Sequence, residues 1–427
     1  MTIAVFIGAL LATMALGIPV AFALMLTAVA LMWHLGLFEA QILAQNLING
    51  ADSFPLLAVP FFMLAGEVMN AGGLSRRIVA LALAVVGHVK GGLGYVTIVA
   101  ACIMAALSGS AVADAAALGA LLLPMMVAAG HDKARSAGLI ASASIIAPVI
   151  PPSIAFVIFG VAGNVSITKL FLAGIFPGLL LGAALWVTWW FLSRRENVAP
   201  PPRRSRAEVK QALRDSLWAM VLPVIVIVGL KFGVFTPTEA AVVAAVYAIA
   251  ISVFVYRELT LRTLVPLFVS AAKTSAVIML LVAASMVTAW LITVAQLPGQ
   301  VIELLQPLLD NPKILLVAIM ILVMIVGTAL DLSPTILLLT PILMPLVKAA
   351  GIDPVYFGVL FIINNAIGLI TPPVGTVLNT VAGVGKVSLD QVTRGVLPFM
   401  CAQFGVMFLL ILFPDLVMVP ARWMYGG

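Results

Sequence analysis

The sequence predicts an all-α polytopic membrane protein, a bundle of helices that crosses a bilayer many times. Of its 427 residues, 63% are hydrophobic and only 9% are charged, whereas soluble domains carry about 25% charged residues. The apolar runs lack the strict alternation of an outer-membrane barrel strand, and this favours helices. The length allows roughly a dozen helices of about 20 residues each.

A second observation is an internal repeat with a spacing of 221 residues, seen in the pairs Pro151-Pro152 and Pro372-Pro373. A proline pair removes two backbone donors and moves the preceding residue out of helical geometry, so each pair interrupts a helix. The same spacing recurs in Pro124 with Pro345, Gly130 with Gly351, Asp132 with Asp353, Gly174 with Gly395 and Pro177 with Pro398. Broken helices at matching positions of two halves are typical of the binding site of a membrane transporter.

A basic linker separates the two repeats. Seven of the 22 Lys and Arg residues lie between Arg194 and Arg214, and such a cluster between spans is typical of a cytoplasmic loop. We therefore predict a first repeat over residues 1–195, a cytoplasmic linker over 196–215 and a second repeat over 216–427. We expect the second repeat to be inverted in the membrane relative to the first.

The first repeat is predicted to begin with short helices. Residues 3–33 form either one long span or two short ones, and residues 38–52 are amphipathic, which predicts an interfacial helix. Residues 54–87 hold two apolar stretches of about 15 residues around Gly72 and Gly73, which is short for spanning. They predict a re-entrant hairpin, with two thin spans as the alternative.

Two interruptions and one long span complete the first repeat. An apolar helix is interrupted at Ser108-Gly109-Ser110, and the Pro-Pro break covers residues 145–154. The span over residues 168–193 ends in three tryptophans beside Arg194, as expected at a membrane interface.

The second repeat follows the same plan. In order, its corresponding parts are a helix start at 235–243, an amphipathic segment at 256–264, a hairpin at 271–309 that turns near Gln296, Pro298 and Gly299, and interruptions at 327–331 and 368–373.

These interruptions predict a cation site in each half. In the first half, residues 108–110 are expected to meet residues 145–152, and in the second half, residues 327–331 are expected to meet residues 368–373. Each such meeting would present several free carbonyls and one or two side-chain oxygens. Oxygen ligands in a low-dielectric pocket suit a small alkali ion. The alternative for Ser-Gly-Ser is close packing of helices through small residues.

Four acids lie in largely apolar surroundings, and a charge at the bilayer centre costs about 2.5 kcal/mol or more. Asp331 ranks first because it lies inside one of the predicted ion loops. Asp114 follows the first loop by one helical turn, with a hydrogen bond to a neighbouring helix N-terminus as the alternative. Glu67 and Glu239 are structural if they lie at helix ends near water.

The remaining reactive residues argue against an enzyme. Cys102 and Cys401 are far apart and define neither a disulfide framework nor a metal cluster. The histidines are scattered near predicted span ends, where loop placement is expected: His34, His88 and His131. The sequence holds no nucleotide-binding loop, zinc spacing or nucleophile with a histidine partner, and the basic linker favours a cytoplasmic loop over a nucleic-acid patch.

Four stretches resemble one known family over essentially the whole chain. The stretches FPLLAVPFFMLAGEVMNAGGLSRR, ALSGSAVADAAALG, IPPSI and TPPVGT are similar to the large membrane subunit of tripartite ATP-independent periplasmic (TRAP) transporters. The resemblance implies an elevator-type transporter of the bacterial inner membrane, with a scaffold and a mobile transport domain that holds two hairpins. It also implies that transport is driven by sodium rather than ATP.

The resemblance further implies two sodium sites. The first maps to Ser108, Ser110, Ala147, Ile150 and Pro152, and the second maps to Gly327, Asp331, Gly368, Thr371 and Pro373. Ala147 stands where the family often has glycine; a carbonyl ligand survives this change, although the turn is less free. The predicted substrate ligands are Asp331, Asp114, Ser153 and Asn365.

The implied partners are a small membrane subunit of the Q type and a soluble periplasmic substrate-binding protein. The implied substrates are carboxylates, and no nucleic acid is expected to bind. A sodium–dicarboxylate carrier that works alone is the alternative within the same architecture, and a membrane scaffold without transport is an alternative from another class. Because a separate protein selects the substrate in this family, the sequence does not name it.

Overall fold

The computed structural model describes residues 2–196, 198–309 and 311–426, and helices joined by short loops make up most of this chain. A 3₁₀ turn at Phe54–Leu57 leads into α4, and a π-helical segment at Ile251–Val255 continues α12. The α-helices are α1 (Thr2–Ala15), α2 (Val20–His34), α3 (Ala40–Ala51), α4 (Ala58–Ala71), α5 (Leu74–Val86), α6 (Gly92–Ser108), α7 (Ala111–Ala128), α8 (Lys133–Ser144), α9 (Ile154–Gly163), α10 (Ile167–Ser193), α11 (Arg206–Lys231), α12 (Pro237–Ala250), α13 (Leu261–Val294), α14 (Leu297–Leu304), α15 (Gln306–Leu309), α16 (Pro312–Ala329), α17 (Leu332–Ala349), α18 (Pro354–Gly368), α19 (Thr376–Gly385), α20 (Leu389–Leu412) and α21 (Asp415–Tyr425).

The helices confirm the predicted fold class. Within the described ranges, nine helical segments are long and apolar enough to cross a membrane. The longest helix, α13, has 34 residues and is therefore about 50 Å long, which exceeds the roughly 30 Å hydrocarbon core. The chain is a polytopic, all-helical membrane protein.

The N-terminal apolar run forms two short helices rather than one long span. Gly17 has a φ of +76°, a conformation that glycine adopts without strain, and Pro19 directly precedes α2. The two helices pack against each other, while the predicted amphipathic helix α3 packs against α13.

The predicted hairpin at residues 54–87 contains the two expected short helices, α4 and α5, joined at Gly72-Gly73. Beyond this turn the two helices pack mainly on different neighbours, α4 on α12 and α13, and α5 on α6 and α11. Re-entry of this helix pair into the membrane stays a prediction.

A further antiparallel pair is formed by α6 and α7, which the sequence analysis treated as one interrupted helix. The hydroxyl of Thr97, near the start of α6, donates to Met126 Sδ, near the end of α7, at 3.8 Å. The chain reverses at Gly109, which has a φ of +60°, and Ser110 caps α7. The Ser-Gly-Ser interruption is therefore the tip of a hairpin.

The internal repeat is visible in the helix boundaries. Helices α7 and α17 begin at Ala111 and Leu332, and α8 and α18 begin at Lys133 and Pro354, both with the spacing seen in the sequence. The aspartates before α8 and α18 cap these helices in the same way, because Asp132 Oδ1 accepts from Arg135 N at 2.7 Å and Asp353 Oδ1 accepts from Tyr356 N at 3.0 Å.

The predicted linker is shorter than expected. Its second half, residues 206–215, belongs to α11, which Ser205 and Glu208 begin with a reciprocal capping box. The basic residues there occupy the first turns of that helix.

The two halves interlock through α8 and α20. A Cβ added to Gly138 would lie 2.2 Å from the Gly395 carbonyl carbon, and one added to Gly395 would lie 1.9 Å from the Ala134 oxygen. Gln403 of α20 also donates to the Ser142 carbonyl of α8 at 2.8 Å. The backbones of the two halves therefore touch directly.

Candidate functional site: a cavity between two hairpin tips

Each pair of interruptions predicted to meet does meet. In the first half, a Cβ on Gly109 would lie 2.5 Å from the Pro152 carbonyl oxygen, so the hairpin tip abuts the Pro-Pro break. In the second half, a Cβ on Gly368 would lie 2.8–3.1 Å from the backbone of Gly327. Glycine permits both approaches because it has no side chain.

The two tips converge on one cavity of about 400 Å³. Gly109 and Ser110 line it from the first half, and Asp331 lines it from the second. Met63 of α4 and Thr274 of α13 also line it. These last two residues were not predicted from the sequence, although Lys273-Thr274 is a polar pair in the interior of the mostly apolar α13, and such residues mark functional sites.

The first predicted cation site is rich in free backbone oxygens. Among the described residues, the carbonyls of Ala147, Ile150 and Pro152 accept no hydrogen bond, and all three residues are buried. Ser110 Oγ accepts from Ala113 N at 3.4 Å as the N-cap of α7. A hydroxyl can still offer a lone pair, so the oxygen set fits a hard cation.

The second predicted cation site has a similar oxygen set. Within the described ranges, the carbonyls of Gly327, Thr371 and Pro373 accept no hydrogen bond, whereas Gly368 O accepts from Thr371 N at 3.0 Å. The Asp331 carboxylate is exposed. Its Oδ1 accepts from the Thr376 hydroxyl at 3.4 Å, so Asp331 adds a formal charge that the first site lacks.

Asn365 forms a wall of the second site rather than of the shared cavity. It is fully buried, and its Nδ2 donates to Leu332 O at 3.2 Å. Its Oδ1 has no partner among the described residues, and a Cβ on Gly327 would lie 2.7 Å from it. A buried acceptor without a partner is costly, and a bound cation would satisfy this oxygen.

The other two predicted substrate ligands lie away from the cavity. Ser153 is fully buried; its hydroxyl donates to Pro148 O at 2.6 Å and accepts from Phe156 N at 3.2 Å, which caps α9. Asp114 is also fully buried, and its Oδ1 accepts from the Ser108 hydroxyl at 2.6 Å. Asp114 therefore holds its own hairpin tip rather than a neighbouring helix.

The remaining two acids differ from each other. Glu239 is exposed and forms a capping box with Thr236, which is the structural role expected at a helix end. Glu67 lines a second cavity of about 450 Å³ together with Ser108 and Ser110. The carboxylate of Glu67 accepts from the Ser270 hydroxyl of α13 at 2.9 Å.

His131 has the predicted loop placement, and its side chain is buried. It lies in the turn between α7 and α8, and its Nδ1 is 2.6 Å from Glu196 Oε2. Arg135 donates to the other Glu196 oxygen at 2.5 Å. Burial raises the pKa of the Glu196 carboxyl, but its contacts with His131 and Arg135 outweigh burial and hold the pKa below its ordinary value.

The described side chains favour a hard cation over a transition metal. Within the described ranges, no cluster of three or more His, Cys, Asp or Glu residues could hold a metal ion. Backbone carbonyls, hydroxyls and one carboxylate are instead the ligands of hard cations. The fold and this cavity together define a membrane transport protein.

The chain belongs to the TRAP transporter large permease family. Residues 7–416 match the family described as "Tripartite ATP-independent periplasmic transporter, DctM component". The chain is 54% identical over 423 residues to the 2,3-diketo-L-gulonate TRAP transporter large permease protein YiaN of Escherichia coli, covering 99% of this chain and all of that protein. It is therefore an inner-membrane transporter subunit, and the expectation that it is no enzyme agrees with these names.

Two further comparisons bear on architecture. The isethionate TRAP transporter permease protein DctMQ of Oleidesulfovibrio alaskensis is 38% identical over 94% of this chain, which corresponds to 64% of that longer protein. The crystal structure of the Alcanivorax borkumensis YdaH transporter has a similar fold, with a TM-score of 0.63 at 15% identity and coverage of 90% of this chain and 89% of that one.

Proposed function

We propose that this chain catalyses sodium-coupled uptake of an organic acid, a carboxylate, across the inner membrane. The observation that carries the proposal is the convergence of Ser110 and Asp331 on one cavity, beside unpaired carbonyls of both Pro-Pro breaks. Each break supplies the oxygen ligands that sodium requires, without a full buried charge. Two inverted repeats and an elevator motion of the hairpins are part of the same proposal.

The named relatives support an anionic substrate. Diketogulonate, in the name of the 54% identical relative, is a carboxylate, and isethionate, in the name of the other, is a sulfonate. Both are small organic anions that carry hydroxyl groups. A cavity of about 400 Å³ accommodates molecules of this size, since ligand pockets of about 300 Å³ and above are typical.

The proposed partners are a small membrane subunit and a periplasmic substrate-binding protein. The family description calls the transporter tripartite, and this chain spans 64% of the DctMQ relative, which leaves room there for a second subunit in the same polypeptide. The family description and the length of this relative favour a three-part system over the stand-alone sodium–dicarboxylate carrier.

Reconstitution in proteoliposomes tests the proposal. Labelled 2,3-diketo-L-gulonate should enter when the chain, the small subunit and the loaded binding protein are combined under an inward sodium gradient. Uptake should fall to background when potassium replaces sodium, or when the chain is present alone. Uptake that ignores sodium would refute the coupling, and strong uptake by the chain alone would favour the stand-alone carrier.

Asp331→Asn tests the site itself. The variant removes the formal charge on the cavity but keeps the side-chain shape, so initial uptake should fall at least about tenfold, the loss expected of a charged contact. Asp390→Asn is the control, because Asp390 is exposed and pairs with Arg394 within the first turns of α20. Normal uptake by Asp331→Asn at normal membrane abundance would exclude Asp331 from the site.

A further inference from the structure

Lys273 is a basic residue in the interior of the long helix α13. It is the thirteenth residue of α13 and is followed by 21 more helical residues. The other Lys and Arg residues of the described helices lie in the first nine or the last four residues of their helices. A charge within a span is costly and marks a functional position unless it is paired. Within the described chain, Lys273 forms no ion pair and is exposed.

The neighbours of Lys273 on α13 face the two cavities. Ser270, one turn earlier, donates to Glu67, which lines the 450 Å³ cavity. Thr274, the next residue, lines the 400 Å³ cavity with Asp331. Because residues three or four apart are neighbours on a helix surface, Lys273 and Thr274 flank Ser270. Lys273 itself lines neither cavity, but its flexible four-carbon stem begins beside the wall between them.

The two cavities adjoin each other and together form one space. They share Met63, Ser110, Ala113 and Ala116 as lining residues. The charged side chains that line this space, Glu67 and Asp331, are both acidic. The proposed sodium ions offset part of this negative charge, and a basic side chain that faced the space would give an anionic substrate a direct partner.

We propose that Lys273 binds the carboxylate of the transported substrate in this space between α13 and the hairpin tips. The proposal rests on the proposed function and adds to it the residue that selects for an anion. The Lys273 ammonium supplies a compact charge with three donors to the carboxylate oxygens. Substrate hydroxyls are left for the Ser110, Thr274 and Asp331 oxygens on the same walls.

Restoring the charge chemically tests this role. In a Cys102→Ala, Cys401→Ser background, Lys273→Cys should lower initial uptake of 2,3-diketo-L-gulonate at least about tenfold, as expected for the loss of a charged contact. The assay uses the complete three-part system in proteoliposomes. Reaction of the new thiol with 2-aminoethyl methanethiosulfonate attaches an ammonium group and should restore at least half of the parent uptake.

Two controls separate charge from packing. Methyl methanethiosulfonate attaches a neutral group to the same thiol and should not restore uptake. Arg262→Cys removes a positive charge from the first turn of the same helix, where the residue is exposed, and should keep uptake within about twofold of the parent. The half-saturating sodium concentration of Lys273→Cys should also stay within about twofold, because the sodium oxygens are untouched.

The outcomes are distinct. Parent-like uptake by Lys273→Cys, or equal rescue by the neutral and the charged reagent, would overturn the role of Lys273. A half-saturating sodium concentration that is raised even at saturating substrate would instead make Lys273 part of the cation sites and overturn the assignment to substrate. Uptake by the parent background that does not depend on sodium would refute the proposed function, and the Lys273 proposal would fall with it.

Discussion

At the scale of single residues, glycine sets how closely the interrupted segments approach each other. Gly109 touches the Pro152 carbonyl, and Gly368 touches the Gly327 backbone, so each half places one glycine where a tip meets a break. Any side chain there would push the proposed ligand carbonyls apart. The site therefore depends on backbone shape as much as on polar side chains.

Gly368→Ala should weaken sodium coupling. The Cβ of the new alanine would lie 2.8 Å from the Gly327 carbonyl carbon. This contact is too short, so the backbone at the break would have to shift. We expect the half-saturating sodium concentration for uptake to rise at least about tenfold, which corresponds to about 1.4 kcal/mol.

Gly383→Ala is the matched control for this experiment. Gly383 is also helical, in α19, and a Cβ there meets nothing within 4 Å. Its sodium dependence should stay within about twofold of the parent. Equal sodium dependence in both variants and the parent would mean that the second break is only structural.

The sequence predicted some residue roles better than others. The proline pairs revealed both breaks, because proline acts through local geometry that any context preserves. The roles of Ser153 as a cap, of Asp114 as a partner of Ser108, and of His131 as a buried partner of Glu196 depend on distances within loops or on distant segments. Such contacts leave no local pattern in one sequence, so these residues could be named but not placed.

At the scale of elements, the start of the linker is attached to the first repeat. Glu196 follows α10 and contacts His131 and Arg135 at the start of α8. The Glu196 carboxylate is mostly buried and contacts two potential cations. Water therefore weakens these contacts less than it weakens the exposed ion pairs of the linker. The end of α10 and the start of α8 are thereby held together.

Glu196→Gln should destabilise the protein at neutral pH but much less in acid. The folded-state pKa of Glu196 is lowered from 4.5, so its stabilisation is present above pH 4.5 and is lost as the pH falls through the folded-state value. Thermal unfolding in detergent should show a lower Tm for the variant at pH 7 and a smaller difference near pH 4.

The exposed Glu303 provides the control for this test. Glu303→Gln removes the same charge without a buried contact and should leave the Tm nearly unchanged at pH 7. A Tm difference for Glu196→Gln that is the same at both pH values would show that the carboxylate charge contributes nothing.

Helix boundaries near special residues were predictable from the sequence, and helix pairings were not. The break at residues 145–154 agrees with the observed end of α8 at Ser144 and start of α9 at Ile154. The antiparallel pairing of α6 with α7 was missed, because apolar helices of similar composition carry no preference for one neighbour. The cluster of basic residues in the linker likewise gave no sign of where α11 begins.

At the scale of the whole molecule, orientation in the membrane follows from the linker and the repeat. If the basic linker is cytoplasmic and the second repeat is inverted, the end of the chain lies on the opposite side. A reporter enzyme that is active only in the cytoplasm should therefore be silent when fused after Gly427. The same reporter inserted after Ala199, in the linker, should be active.

The two insertions together decide the topology. Activity at both positions would place the linker and the C-terminus on the same side and refute the inversion. Silence at both positions would refute the cytoplasmic linker.

The contact between α8 and α20 has a kinetic consequence. Gly138 and Gly395 bring the backbones of the two halves together, and α8 and α18 lead directly into the two Pro-Pro breaks. If this contact makes the two breaks move as one block, they share a single conformational equilibrium. If each break binds one ion, both ions bias that same equilibrium, and the first ion favours binding of the second. The transport rate would then rise with sodium concentration along a sigmoidal curve, with a Hill coefficient above one.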